Sequence, residues 1–316
     1  MFDVITLGSA TKDIFLEASK FKKGTSLDFP LGKKIEIEKT MVFSGGGGVN
    51  AAHTFVFQGL KTGLCSWIGQ DFLGKEIIKE LKKIGVDTRL VQTKNEATDL
   101  GLILHAGDER TILLHHGPSR NLAEKDLPWT KLKKTRWLYL APLWGKSIRL
   151  TQPLAEFARR NKIRLALNPS LDQLSLPDIR KTIREIDVLI LNDEEAANLA
   201  QIDPFSEEAV FEKIASLTRA LIVVTQGKQG AAALDGRFLY RLPAPPARVV
   251  DATGAGDSFG SGLVAGIIQG KAPEESLRLA MANAIANIQV FGANQGLLRK
   301  DQPLLKIKVK KIRWSV

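Results

Sequence analysis

The sequence predicts an α/β chain: a largely parallel sheet with helices on both faces, plus a small second sheet assembled from separate segments. Three observations point there. Short apolar runs of strand length alternate with amphipathic stretches of helix length through the middle and C-terminal parts. Two other regions, residues 12–43 and 97–116, alternate apolar and polar residues with no helical period. Finally, 316 residues with 44% hydrophobic content can bury one large core or two small ones, and no internal repeat or low-complexity segment is visible.

In chain order, Phe2–Leu7 reads as the first strand. Ile14, Leu16 and Ala18, then Ile35 and Ile37, alternate as strands of the second sheet. Residues 63–68 form one apolar strand, followed by a helix from Phe72 to Ile84 with Leu73, Ile77, Leu81 and Ile84 on one face. Leu100, Leu102 and Leu104 pair with Ile112 and Leu114 as a hairpin turning through Ala106-Gly107-Asp108-Glu109. Further strands are expected at 136–141, 163–168, 186–191 and 220–225, with a helix from Ser147 to Arg160 after the first of these.

The run Val249-Val250-Asp251 reads as a strand emptying into a turn, and a helix rich in small and apolar residues follows through Ile268. Leu277, Met281, Ala284, Ile285, Ile288 and Phe291 stripe a helix from Glu274 to Phe291, with Gly292 at its C-cap. The tail alternates Lys306, Lys308 and Lys310 with Ile307 and Val309, the pattern of a half-buried edge strand carrying charge against aggregation. The expected division is an α/β unit of residues 1–11, 44–96 and 117–316 and a discontinuous β lid of 12–43 and 97–116. A flap of strands with one apolar face must cover something, either a substrate or a partner subunit.

Composition narrows the function classes. No apolar run approaches a membrane span, and the N-terminus moves straight into a strand, so neither a signal peptide nor a membrane helix is expected. The single cysteine, Cys65, reads as an inert core thiol in a reducing cytoplasm. His115 and His116 are adjacent, which on a strand points them to opposite faces, so no metal role is assigned to them. The net charge of +11 is spread over helical segments and the tail without a basic-aromatic platform, which argues against a specific nucleic-acid binder. It would favour anionic ligands.

The stretch Asp251-Ala252-Thr253-Gly254-Ala255-Gly256-Asp257 carries the chemistry. Small residues before a helix expose backbone N–H groups with no side chain in the way, and the helix dipole adds partial positive charge. Asp257 beside such an anion site repels the anion unless it takes a proton from a hydroxyl that attacks a phosphorus held there. The alternative is that Asp257 caps the helix and the glycines allow close packing. No G-x-x-x-x-G-K-[ST] loop occurs, which leaves Gly254, Ala255, Gly256 and Asp257 as the phosphate cradle, and no G-x-G-x-x-G follows the first strand.

This stretch, continuing Ser258-Phe259-Gly260, resembles the D-T-T-G-A-G-D-x-F signature of the ribokinase-like (PfkB-type) sugar and nucleoside kinases, and Gly45-Gly46-Gly47-Gly48-Val49-Asn50-Ala51-Ala52 is similar to their G-G-x-x-x-N-x-A. The resemblance covers nearly all of residues 2–300. It implies a three-layer, doubly wound α/β fold with a small β lid, through which many members dimerise. It also implies ATP as phosphoryl donor, Mg2+, and Asp257 as the base.

The resemblance implies substrate binding by Asp13, where a carboxylate could accept from two adjacent sugar hydroxyls, and by Gly45, Gly46 and Asn50. The alternatives are a surface Asp in a turn, and a flexible loop followed by Asn50 as an N-cap. Leu191-Asn192-Asp193-Glu194-Glu195 resembles the family's N-x-x-E, in which Asn192 meets phosphate and Glu195 holds Mg2+ through water; the same spacing also makes a capping box. Thr225, Gly227 and Gly230 resemble its T-x-G-x-x-G nucleotide loop. Asp251 and Thr253 match positions that bind a monovalent cation such as K+ in many relatives, or else play a structural part.

Departures bear on the acceptor. Gly47 and Thr11 stand where ribokinases tend to carry Lys and Asn, and Ala141-Pro142-Leu143-Trp144-Gly145 replaces an acidic contact, so ribose itself is in doubt and Trp144 leaves room for a base or a bulkier sugar. The expected activity is ATP-dependent phosphorylation of a primary hydroxyl of a small sugar. A nucleoside kinase on the same scaffold is the second reading, and a non-catalytic ligand- or nucleic-acid-binding relative the third.

Overall fold

The computed structural model describes residues 1–107, 109–202 and 206–314. Its larger sheet has nine strands, in the order Lys310–Arg313, Phe238–Leu242, Ala231–Leu234, Leu221–Thr225, Val188–Asn192, Arg164–Leu167, Thr135–Leu140, Phe2–Leu7 and Thr62–Cys65. From Leu221–Thr225 to Thr62–Cys65 every neighbouring pair is parallel; the other three strands extend that edge antiparallel.

Alternation along the strands divides the core into two layers. Ile5, Leu138, Leu165, Leu189 and Ile222 point to one face, where Leu154, Ala158, Phe211 and Ile214 cover them from the helices Thr151–Arg160 and Glu207–Ala215. Val4, Trp137, Ala166, Ile190 and Val223 point to the other, covered by Phe55, Leu263 and Leu277 from Gly47–Phe57, Ala255–Ile268 and Pro273–Ile288. Helix, sheet and helix stack as three layers. Cys65 is fully buried here, and burial pushes its thiol up to about 12, so it stays protonated and inert.

The second sheet orders Glu109–His115, Asp99–Ala106, Thr11–Glu17 and Thr40–Gly45. Its strands meet Ile103 with Ile112 and Phe15, and Asp13 with Gly101 and Phe43. The hairpin Asp99–Ala106 to Glu109–His115 is formed, and Asp108 in its turn lies outside the described residues.

Several elements differ from the sequence reading. The 63–68 strand is two: Thr62–Cys65 stays in the large sheet, while Trp67–Gly69 pairs with Gln92–Lys94, and Ser66 between them donates to the Gly8 carbonyl at 2.7 Å. Ile35 and Ile37 are half-buried between exposed neighbours, but residues 33–39 find no ladder partner, so only Thr40–Gly45 is a strand. Val249-Val250 is not a strand either, since the N–H groups of Val250 and Asp251 bond to the carbonyl of Ile288. That contact helps stop the last long helix at Ile288, short of Phe291, with Gln289 as its C-cap instead of Gly292. Gly145–Leu150 is a 3-10 turn ahead of the α-helix at Thr151, and the tail forms an edge strand only over Lys310–Arg313.

Candidate active site

A cavity of about 280 Å³ opens between the carboxyl edge of the large sheet and the inner face of the small one. Its polar lining includes Ser9, Thr11, Asp13, Asn50, Asp99 and Asp257; its apolar wall is Ile103, Ile112, Leu114, Pro142 and Trp144. Gly46, Gly47, Thr253, Gly254 and Ala293 complete the sides where backbone is exposed.

Gly254 is the N-cap of Ala255–Ile268 and takes φ +76, a left-handed conformation that disfavours side chains. A Cβ there would also lie 2.2 Å from the Ala293 carbonyl oxygen. Gly256 faces open space, with no atom within 4 Å of where its Cβ would be. The N–H groups of Gly256 and Asp257 meet no backbone acceptor among the described residues. Further along, Gly266 lets the helix lie against Pro273–Ile288, where a Cβ would sit 2.8 Å from Ser276 Cα. The small residues therefore divide their work: the first leave backbone N–H groups at the helix start bare, and the later ones allow close packing.

Asp257 lines the cavity, half-buried and crowded by protein, and that desolvation raises its pKa above the ordinary carboxylate value. A bond from Asn50 opposes the shift: Nδ2 donates to Asp257 Oδ2 at 2.8 Å. Asn50 is not a cap, because the helix Gly47–Phe57 begins three residues earlier with Gly46 as N-cap at φ +89.

Asp13 lies within the strand Thr11–Glu17 instead of in a turn after the first strand. It is buried against glycines on both neighbouring strands: a Cβ at Gly45 would fall 1.9 Å from Oδ2, and one at Gly101 2.6 Å from Oδ1. Burial raises its pKa to about 6, helped by the carboxylates of Asp251 and Asp257, while a hydrogen bond from Thr11 and the charge of Lys12 act the other way.

Asn192 and Thr225 are register partners at the carboxyl ends of adjacent parallel strands. Gly260, one turn past Asp257, packs on Ile190 of the strand that ends in Asn192, so the helix start lies along the same sheet edge. Asn192, Glu195, Thr225, Gly227 and Gly230 do not line the cavity. Asn192 and Glu195 make the capping box: Asn192 Oδ1 accepts from Glu195 N at 2.7 Å, and Glu195 Oε2 from Asn192 N at 2.8 Å. Burial raises the pKa of Glu195. Gly227 and Gly230 hold φ +53 and +112 in the turn that returns the chain to Ala231–Leu234.

Asp251 is bonded on both oxygens, Oδ1 by Thr253 N and Oγ1 and Oδ2 by Gly292 N. Asn287 Nδ2 donates to the carbonyls of Gly292 and Thr253. These bonds fix the loop ahead of the Asp257 helix. No group of three or more His, Cys, Asp or Glu side chains forms a metal cluster among the described residues.

Sequence reasoning missed Asp99, Asn294 and the placement of both histidines. His115 and His116 both border the cavity because the strand ends at His115. Asp99 accepts from Gly117 N and Ser119 Oγ, which ties the strand start to the loop after the hairpin. Asn294 lies in a loop that no motif marks, and its buried amide bonds to Asn50 and to the Ser44 carbonyl.

A family model described as pfkB family carbohydrate kinase matches residues 1–300. The ribokinase of Lactococcus lactis is 26% identical over 315 residues, spanning 98% of each chain. A cytidine kinase of Thermococcus kodakarensis is 23% identical, over 92% of this chain and 98% of its own. Among solved structures, Arabidopsis thaliana ribokinase complexed with ribose and ATP superposes with a TM-score of 0.78 at 23% identity, over 95% of this chain and 96% of that one. The fold is ribokinase-like.

Proposed function

The chain belongs to the pfkB family of carbohydrate kinases, and on that premise we propose that it transfers the γ-phosphoryl group of ATP to a primary hydroxyl of a small sugar. The observation that carries the reading is Asp257 lining a cavity in the first turn of a helix whose Gly256 and Asp257 N–H groups meet no backbone acceptor among the described residues.

Asp13 and Asn50 would orient the acceptor, with Gly46 giving it access to backbone at the cavity wall and Gly45 leaving room for the Asp13 carboxylate. Asp257 takes the proton of the attacking hydroxyl, whose oxygen bonds to the γ-phosphorus as the bond to the β-phosphate oxygen breaks and ADP leaves with that electron pair. The N–H groups of Gly256 and Asp257 would hold the charge on the transferring group. Thr225, Gly227 and Gly230 would line the nucleotide, with Asn192 toward its phosphates. Magnesium fits a site whose carboxylates are dispersed, because it keeps waters and is bound largely by nucleotide phosphates; Glu195 would meet it through water while its other oxygen caps the helix. It would neutralise charge between the phosphates. A monovalent cation beside Asp251 and Thr253 belongs to the same proposal, in a loop whose Thr253 and Gly292 carbonyls Asn287 holds in place.

The segments 12–43 and 97–116, which supply most of the small sheet, would serve as a lid, and its exposed outer residues Val42 and Leu113 would suit a homodimer. No described helix is long and apolar enough to cross a membrane, and we place the enzyme in the cytoplasm. A nucleoside acceptor is the second reading, favoured by the wall of Ile112, Leu114 and Trp144, which offers a planar base an apolar surface. ADP release over a panel of sugars and nucleosides with Mg–ATP tests both. Turnover of a sugar above all nucleosides supports the first, the reverse order the second, and no turnover of any acceptor counts against a kinase.

A further inference from the structure

We propose that Asn294 is a positioning residue: it sets the orientation of the Asn50 amide, so that Asp257 always meets a donor and never an acceptor. The inference rests on Asp257 being the base.

The two ends of an asparagine amide are nearly the same shape and opposite in hydrogen-bonding sense, so shape alone does not hold Asn50 one way round. The chain of contacts does. It starts at the Ser44 carbonyl, which can only accept. Asn294 Nδ2 donates to it at 2.7 Å, and the same nitrogen donates to Asn50 Oδ1 at 2.9 Å. Asn294 Oδ1 accepts from Gln295 Nε2 at 2.8 Å, which agrees with that orientation. With its oxygen committed, Asn50 has only Nδ2 left for Asp257 Oδ2, at 2.8 Å. A reversed Asn50 would set an amide oxygen against a carboxylate and leave Asn294 facing a second N–H.

Burial makes the fault costly. Asn50 and Asn294 are 5% and 2% exposed, so water cannot repair a wrong pairing. The consequence at the base is twofold. An N–H donor stabilises the charged carboxylate against the desolvation that raises its pKa. It also occupies Oδ2, while Oδ1 lies on the Gly47 side of the cavity, 3.6 Å from where a Cβ of that glycine would be. Asn294 thus acts on the Asp257 carboxylate through another side chain without lining the cavity.

The test compares Asn294→Asp, which keeps the shape but cannot donate from an ionised carboxylate, with Asn294→Ala, which introduces no charge. Carboxyl 13C titration of Asp257, assigned by the signal lost in Asp257→Asn, needs no acceptor. Either variant should move that titration upward by about one pH unit. With the acceptor found by the panel, kcat should fall about 10-fold, its acid limb should move upward in step, and KM for ATP should stay unchanged. An unmoved titration and kcat within twofold of the parent, in a folded variant, would overturn the proposal. So would failure of both variants to fold, which would make Asn294 a structural residue only. An active Asp257→Asn would instead remove the base assignment while leaving the titration result standing.

Discussion

Asn50 and Asp257, 207 residues apart, are joined by a 2.8 Å hydrogen bond that ties the first turn of Gly47–Phe57 to the first turn of Ala255–Ile268. Two helix starts therefore converge on one carboxylate. The bond also gives the charged carboxylate a donor, which offsets part of the cost of the burial that raises its pKa.

Asp257→Asn should preserve this contact in shape while removing the proton acceptor. Turnover is expected to fall by roughly 10²-fold or more, the scale of general-base catalysis. ATP affinity should hold. The melting temperature should not drop, since a carboxylate with a raised pKa is a burden on the folded state above that pKa. Steady-state rates together with thermal melts decide it, and activity within a few-fold of the parent would remove the base role.

Asp13 gives a pH-dependent prediction. Its ordinary pKa of 3.8 rises to about 6 in the folded chain, so between those values the folded state holds a proton that the unfolded state has lost. Stability then falls as pH rises through that window, by about 3 kcal/mol in total. Asp13→Asn removes the dependence. The variant should melt higher than the parent at pH 7.5, the gap should close toward pH 4, and acceptor binding should be lost. A gap that is constant with pH would show that the carboxyl is not destabilised where it sits.

Much of this was legible in the sequence, for physical reasons. The six parallel strands alternate inward to two helix layers, so each one announces itself by apolar residues of strand length. Small residues before an acid mark the turn ahead of Ala255–Ile268 because only they leave N–H groups bare. Contacts that depend on partners far along the chain left no such mark. Only Ser66 interrupts the apolar run from Gly63 to Ile68, so nothing there marks the change of sheet, and Val249-Val250 has strand composition but bonds to a helix end. Asn294 acts through side chains from two other segments, and an asparagine in a loop carries no local signal for that.

Glu195→Gln separates the two parts that residue plays. Glutamine still accepts from Asn192 N, so the capping box and the melting temperature should survive within about 0.5 kcal/mol. The lost charge should move the turnover curve to higher free magnesium without changing which acceptor is preferred. A magnesium curve that overlays the parent's would leave Glu195 as a helix cap alone.

The small sheet should be the part that moves. All seven residues of its edge strand Glu109–His115 are exposed, and only a four-stranded ladder supports it. Ile112 and Leu114 line the cavity, while Leu113, pointing the other way, and Val42 on the opposite edge strand stand free to solvent. Lys12 and Ser44 both bond Glu80 of the helix Phe72–Ile84, so the Thr11–Glu17 and Thr40–Gly45 strands are anchored near the cavity end. The hairpin has no such tether to that helix among the described contacts. Binding an acceptor should press Ile112 and Leu114 inward and exclude water that would otherwise compete for the phosphoryl group. Hydrogen exchange with and without acceptor should then show protection rising most in 109–115, next in 99–106, and least in 11–17. Equal protection in the two states would mean a fixed wall. Protection of 109–115 that rises with protein concentration in the absence of acceptor would mean that a second copy supplies the cover.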